Sequence, residues 1–168
     1  FTIYRRNPSV IINQEKQLPC LSSNAIRSVM VDKSGLLWIS TRGGGLNMYD
    51  KTTGVYTIFK NDPNDINSIS NNAVYSILED NNGTIWVGTF GGGLNKFDKK
   101  TGKFIVFKNN PQDPKSISSN AIRIIKEDKS GTLWIGTDGG GLNKFDKVSE
   151  EFTVYKNDPE EADNIAIT

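Results

Sequence analysis

The sequence predicts an all-β fold, a β-propeller built from four-stranded antiparallel blades, and three observations carry that prediction. One stretch occurs three times, starting at Trp38, Trp86 and Trp134, so the chain repeats every 48 residues without slippage. A fixed period of this size marks a solenoid, propeller or repeat array. Each repeat divides into four short strand-like runs separated by turn residues at about 8–12-residue spacing, which indicates strands and a propeller blade. Finally, each repeat carries a Gly triplet (Gly43 to Gly45, Gly91 to Gly93, Gly139 to Gly141) and no run sustains a 3.6-residue apolar period, which disfavours helix.

The elements follow in order. Residues 1–8 match the ends of later repeats, such as Tyr56-Thr57-Ile58-Phe59-Lys60-Asn61-Asp62-Pro63, and read as the outer strand of a preceding blade. Whole blades are expected at 21–63, 69–111 and 117–159, with 160–168 leading to a next blade. In the first, a strand over 25–31 is rich in branched residues and ends at the turn Asp32-Lys33-Ser34-Gly35. There an Asp carboxylate can accept from nearby amides and Gly can take positive φ, the chemistry of a hairpin. The second strand carries the Trp, with Leu37 and Ile39 on its opposite face. The Gly triplet turns into a third strand at 46–50, and Lys51-Thr52-Thr53-Gly54 leads to a fourth at 56–59. The third repeat has Glu150 where that last Gly recurs, so a different turn geometry is expected there.

Large apolar residues on both faces of each blade require cover from neighbouring blades. Propellers close with about four to eight blades, so three point to a segment of a longer propeller or to a protomer of a ring closed by self-association. An outer strand without its own blade is an unpaired edge that seeks a partner.

Composition narrows the chemistry. Twenty basic and 19 acidic residues leave a formal charge of +1, without the basic footprint of nucleic-acid binding. No apolar run is long enough to span a bilayer. The chain starts at Phe1 rather than Met, consistent with upstream sequence having been removed. The single Cys20 rules out an intrachain disulfide or a cysteine metal cluster. Without histidine, the commonest general base, metal ligand and triad member is missing. No catalytic residue, metal or cofactor is expected, and the chain reads as a non-enzyme.

Several motifs admit a chemical and a structural reading. The Gly triplets resemble anion nests, but no helix follows them, and tight turns account for them better. Asp80-Asn81-Asn82-Gly83 lacks the further oxygens of a calcium loop, and its counterparts place Lys33 or Lys129 where a ligand would sit. The three Trp residues recur identically and are expected to pack between blades rather than stack on sugars. The acid pairs Glu79-Asp80 and Glu127-Asp128 repeat with the turn and read as part of it.

Positions that change inside an otherwise repeated motif are free for function. Within Thr-x-Gly-Gly-Gly that position is Arg42, Phe90 and Asp138; on the first strand it is Arg27, Tyr75 and Arg123. The loop into the first strand and the loop between the second and third lie at the same end of a blade, so these six residues are expected to ring one mouth. Such side chains suit a polar or anionic oligosaccharide, through aromatic stacking and bidentate Arg bonds. The plain alternative is that exposed positions vary.

The pattern Leu21-Ser22-Ser23-Asn24-Ala25-Ile26, then Asp32-x-x-Gly35-x-x-Trp38-Ile39-Ser40-Thr41, then Gly44-Gly45-Leu46, resembles the two-component regulator propeller repeat. The match at Ile117-Ser118-Ser119-Asn120-Ala121-Ile122 and Asp128-x-x-Gly131-x-x-Trp134-Ile135-Gly136-Thr137 is closer still. The resemblance implies blades of a seven-bladed propeller in the periplasmic or extracellular sensor region of a membrane-spanning hybrid histidine kinase or related receptor. It further implies non-catalytic recognition, in many relatives of products of complex carbohydrates. The Asp-x-x-Gly-x-x-Trp core is also similar to the structural Asp-box turn of sialidases. A structural or protein-binding scaffold is the alternative, and a carbohydrate-active enzyme a more distant one. Any membrane attachment would come from parts of the parent protein outside this chain.

Overall fold

The computed structural model describes residues 20–157, so the expected stub at 1–8 and the connection at 160–168 lie outside the described residues. The described residues form three four-stranded antiparallel meanders. The first contains β1 (Ile26–Val31), β2 (Leu37–Thr41), β3 (Gly45–Tyr49) and β4 (Tyr56–Phe59). The second contains β5 (Val74–Glu79), β6 (Ile85–Thr89), β7 (Gly93–Asp98) and β8 (Lys103–Phe107). The third contains β9 (Ile122–Glu127), β10 (Leu133–Thr137), β11 (Leu142–Phe145) and β12 (Phe152–Tyr155). The all-β propeller-blade expectation holds, with strand ends within about a residue of those read from sequence.

The β1–β2 turn shows why Asp and Trp recur six residues apart. Asp32 Oδ1 accepts from the amides of Ser34 (2.9 Å) and Leu36 (3.0 Å), while Oδ2 accepts from Trp38 Nε1 at 3.0 Å. Asp80 and Asp128 receive Trp86 and Trp134 in the same way, at 2.9 and 2.7 Å. One carboxylate thus closes the hairpin and satisfies an indole N–H that would otherwise be buried unpaired.

The apolar core lies between blades. Trp38 stacks on Phe59 of its own blade, with centroids 6.1 Å apart, and meets Phe97 of the next edge-on at 5.4 Å. Trp86 repeats this with Phe107 and, edge-on at 5.3 Å, Phe145. Around them Leu46 packs with Val74, Ile77 and Ile85, and Leu94 with Ile122, Ile125 and Leu133. The first strands of successive blades contact one another, which puts β1, β5 and β9 innermost.

Polar groups lock the same seams. The amides of Gly43 and Gly45 both donate to the Asn72 carbonyl of the next blade (3.0 and 2.9 Å), and Gly91 and Gly93 treat Asn120 alike. A Cβ on Gly45 or Gly93 would overlap the carbonyl oxygen of Phe59 or Phe107 in the adjacent strand, so close backbone approach demands glycine there. Lys99 Nζ reaches back a blade to Asp32 (3.3 Å) while also meeting Glu79 (2.9 Å), and Lys147 bridges Asp80 (2.9 Å) and Glu127 (2.7 Å). Burial works against each ammonium, yet the two flanking carboxylates raise its pKa above the ordinary lysine value.

One expectation is corrected. The β11–β12 turn keeps the conformation of its counterparts although its glycine is gone: Glu150 has φ 57°, beside 73° and 71° at Gly54 and Gly102. The strand register on either side dictates the turn, and Glu150 accepts a left-handed backbone costing about 1–2 kcal/mol. It meets Lys96 of the preceding blade at 3.1 Å.

Candidate functional site

The inner strands are not regular at their N-terminal ends. Ile26 pairs with Thr41 and Ser28 with Ser40, so Arg27 is an extra residue in the ladder. Val74 and Ser76 bracket Tyr75 identically, and Ile122 and Ile124 bracket Arg123. All three variable first-strand residues are therefore β-bulge residues, and a bulge re-aims its side chain out of the sheet alternation. Sequence reasoning found the positions but missed the bulge, because an extra residue in a ladder becomes visible only once the partner strand is known.

The other variable set is placed by backbone bonds. The amides of Arg42, Phe90 and Asp138 donate to the carbonyls of Ala25, Ala73 and Ala121 of their own blades, each at 2.8 Å. Arg42 and Phe90 also form bridges to Ala73 and Ala121 of the following blade. The β2–β3 and β6–β7 turns thus sit astride the seams at the bulged end, beside the central strands.

Five of the six residues join into one run of side chains across three blades. Arg27 lies over the Tyr75 ring, its guanidinium carbon 4.8 Å from the centroid. Tyr75 stacks on Phe90 at 5.2 Å with 22° between planes. Arg123 lies 4.8 Å from the Phe90 centroid and 5.5 Å from that of Tyr75. Its Nη2 donates to Asp138 Oδ2 at 2.9 Å. Arg42 is exposed on the same rim, without a side-chain partner among the described residues.

The run is wet at its ends and half-buried in the middle: Arg27, Arg123 and Asp138 are exposed, Tyr75 and Phe90 intermediate. Each inner ring already faces another side chain of the run. Both guanidinium carbons lie within 5.5 Å of a ring centroid, the range of a cation–π contact.

The opposite end of the blades carries the Asp turns. At Asp32 burial opposes ionisation, but hydrogen bonds from Ser34, Trp38 and Leu36, with the Lys99 charge, outweigh it and hold the pKa at about 2. Asp128 is also held at about 2, by Ser130 and Trp134. These carboxylates are committed to the fold and hold no proton at neutral pH.

Against known families, the model of the two component regulator propeller matches at residues 20–43, 68–91 and 116–139. The chain carries three two-component regulator propeller repeats. The three matches end at Gly43, Gly91 and Gly139, so each covers the Asp turn, the Trp strand and the start of the Gly turn.

Solved structures containing such blades align well. The extracellular domain assigned to the hybrid two component system BT3049 of B. thetaiotaomicron is 29% identical with a TM-score of 0.72, over 79% of this chain and 18% of that one. The extracellular domain assigned to the one component system BT4673 of the same organism is 28% identical with a TM-score of 0.69, over 90% of this chain and 20% of that one. The chain therefore spans about a fifth of these relatives. A streptogramin B lyase, at 18% identity and TM-score 0.57, shares the fold. Among curated proteins, none matches the chain.

Proposed function

We propose that this chain is a ligand-sensing segment of the extracytoplasmic region of a two-component-type receptor, and that its mouth recognises a carbohydrate-derived ligand without chemical turnover. The observation that carries the reading is the joined run Arg27, Tyr75, Phe90, Arg123 and Asp138, set at the positions where the repeats differ. Framework positions serve every blade, whereas this run is asymmetric and lies at a rim between seams, as a recognition surface must. The similarity to extracellular sensor domains supports the location and the signalling context. The non-catalytic reading is supported by the use of the repeated Asp carboxylates as turn and indole acceptors.

Thermal unfolding of the chain against a panel of oligosaccharides tests the reading, since a ligand that binds only the folded state raises the melting temperature by mass action. A hit whose affinity falls in Phe90→Ala and Arg42→Ala is the expected result. Unchanged affinity in both variants would remove the mouth from the reading.

The end blades favour a second partner. Leu142 is 41% exposed on the third blade, whereas the matching Leu46 and Leu94 are fully buried by a following blade. On the first blade Ile26, Val29 and Val31 are exposed where Val74 and Ile77 are covered. These faces are the two halves of a seam, and they fit either a further blade or a second copy. Light scattering over a concentration series checks this: a mass that rises with concentration and falls in Leu142→Asp is expected, and a monomer throughout refutes self-association.

A further inference from the structure

We infer that the mouth selects an acidic ligand, a sugar bearing a carboxylate or sulfate ester, through the N–H edges of Arg27 and Arg123, and that Asp138 occupies the anion's place on Arg123 until the ligand arrives. The inference rests on the carbohydrate reading above only for the sugar, not for the anion.

Charge is the first argument. Arg27, Arg42 and Arg123 line this rim, and Asp138 pairs with Arg123, although the whole chain is nearly balanced. Among the described residues no carboxylate pairs with Arg27 or Arg42. Both the Arg27 and Arg123 guanidinium carbons lie within 5.5 Å of one Tyr75 centroid. Two cations against one ring pair repel, and an anion placed between or across them relieves that repulsion.

Geometry is the second. A guanidinium is planar and carries its donors in a fork that fits two oxygens of a carboxylate or sulfate. The ring contacts hold Arg27 and Arg123 in place in advance, so less rotamer freedom is lost when an anion binds. A neutral sugar presents no charged pair of oxygens to that fork.

Asp138 shows the site's preference within the molecule. Its carboxylate accepts from Arg123 Nη2 at 2.9 Å, with both side chains about half exposed. A pair this exposed is weak, so a ligand anion can displace it, and the loosened Asp138 would then repel the incoming charge less than it does at contact. The Asp138 side chain at the β10–β11 turn is in this sense an internal competitor, while its counterparts Arg42 and Phe90 are not.

The test is titration of the full chain, followed by the Arg side-chain Nε–H resonances, with digalacturonic acid, its carboxyl-reduced neutral counterpart and inorganic sulfate. Digalacturonate is expected to move the Arg27 and Arg123 resonances and to bind at least about tenfold more tightly than the neutral disaccharide, as a charged hydrogen-bonded pair implies. Arg27→Gln is expected to erase that preference, and Asp138→Asn to tighten binding. Equal binding of the neutral sugar at the mouth overturns the acidic selection and leaves the carbohydrate reading standing. Sulfate moving both resonances while neither sugar binds upholds the anion site and removes the carbohydrate reading. No shift with any of the three overturns the proposal.

Discussion

Gly93→Ala and Gly102→Ala form a matched pair that separates backbone conformation from close approach. Both glycines are left-handed, with φ of 87° and 71°, so alanine at either pays about 1–2 kcal/mol for that conformation. Around Gly102 an added Cβ meets open space, whereas at Gly93 it overlaps the Phe107 carbonyl oxygen. A carbon rests about 3.3–3.6 Å from a carbonyl oxygen, so β7 and β8 must part by about 1 Å. That displacement weakens the ladder at Leu94 and Phe107 and the 2.9 Å bond from the Gly93 amide to Asn120 of the next blade. Two such bonds at about 1 kcal/mol each bring the Gly93→Ala loss to about 3–4 kcal/mol, against about 1–2 for Gly102→Ala. Urea unfolding followed by Trp fluorescence and far-UV circular dichroism reads the difference. With a slope of about 2 kcal/mol per molar urea the two midpoints separate by about 1 M. Coincident midpoints would show that positive φ alone explains the Gly triplet, and the close-approach argument would fail.

Three more predictions concern the seams and turns. Lys147→Met leaves Asp80 and Glu127 facing each other at a half-buried seam and is expected to cost about 2–3 kcal/mol, whereas Lys115→Met, which breaks only the exposed pair with Glu151, should leave the urea midpoint unchanged. Glu150→Gly removes a strained backbone and is expected to stabilise by about 1 kcal/mol; a lower midpoint would mean that the Lys96 contact outweighs the strain. Asp32 and Asp128 have folded pKa values of about 2, below the ordinary aspartate value of 3.8, so the unfolded chain binds protons more readily and stability rises with pH across that window. Their contribution is complete above about pH 4 and is lost as pH falls through about 2, which urea midpoints measured between pH 5 and pH 2 will show; midpoints constant over that range would refute it.

The fold was largely legible because its determinants are local and repeated three times. An Asp six residues before a Trp, a Gly at the turn and a 48-residue period specify a hairpin and a blade wherever they occur, and the Trp–Asp bonds are found at all three. The candidate site was legible as a set of positions, since Arg27, Tyr75, Phe90, Arg123 and Asp138 interrupt the repeat and were grouped on that ground. Their order along the run was not legible, and Arg42 stands apart from it. The Glu150 turn went the other way: sequence rules forbid what the flanking ladder imposes.

By itself, then, the sequence determined the blade, its four strands, the Asp turn and the variable mouth positions, because each follows from contacts within a few residues or from the period. Only the tertiary structure decided what those positions do together. The bulges at Arg27, Tyr75 and Arg123 exist through register with a partner strand, and the stacked Tyr75 and Phe90 rings of one blade meet guanidiniums from the blades on either side, each about 48 residues from Tyr75 in the chain. Spacing along a chain specifies which residues a strand exposes; the angle at which neighbouring blades pack specifies which of those meet, and so brought Arg27 and Arg123 of two blades onto the ring pair of the blade between them.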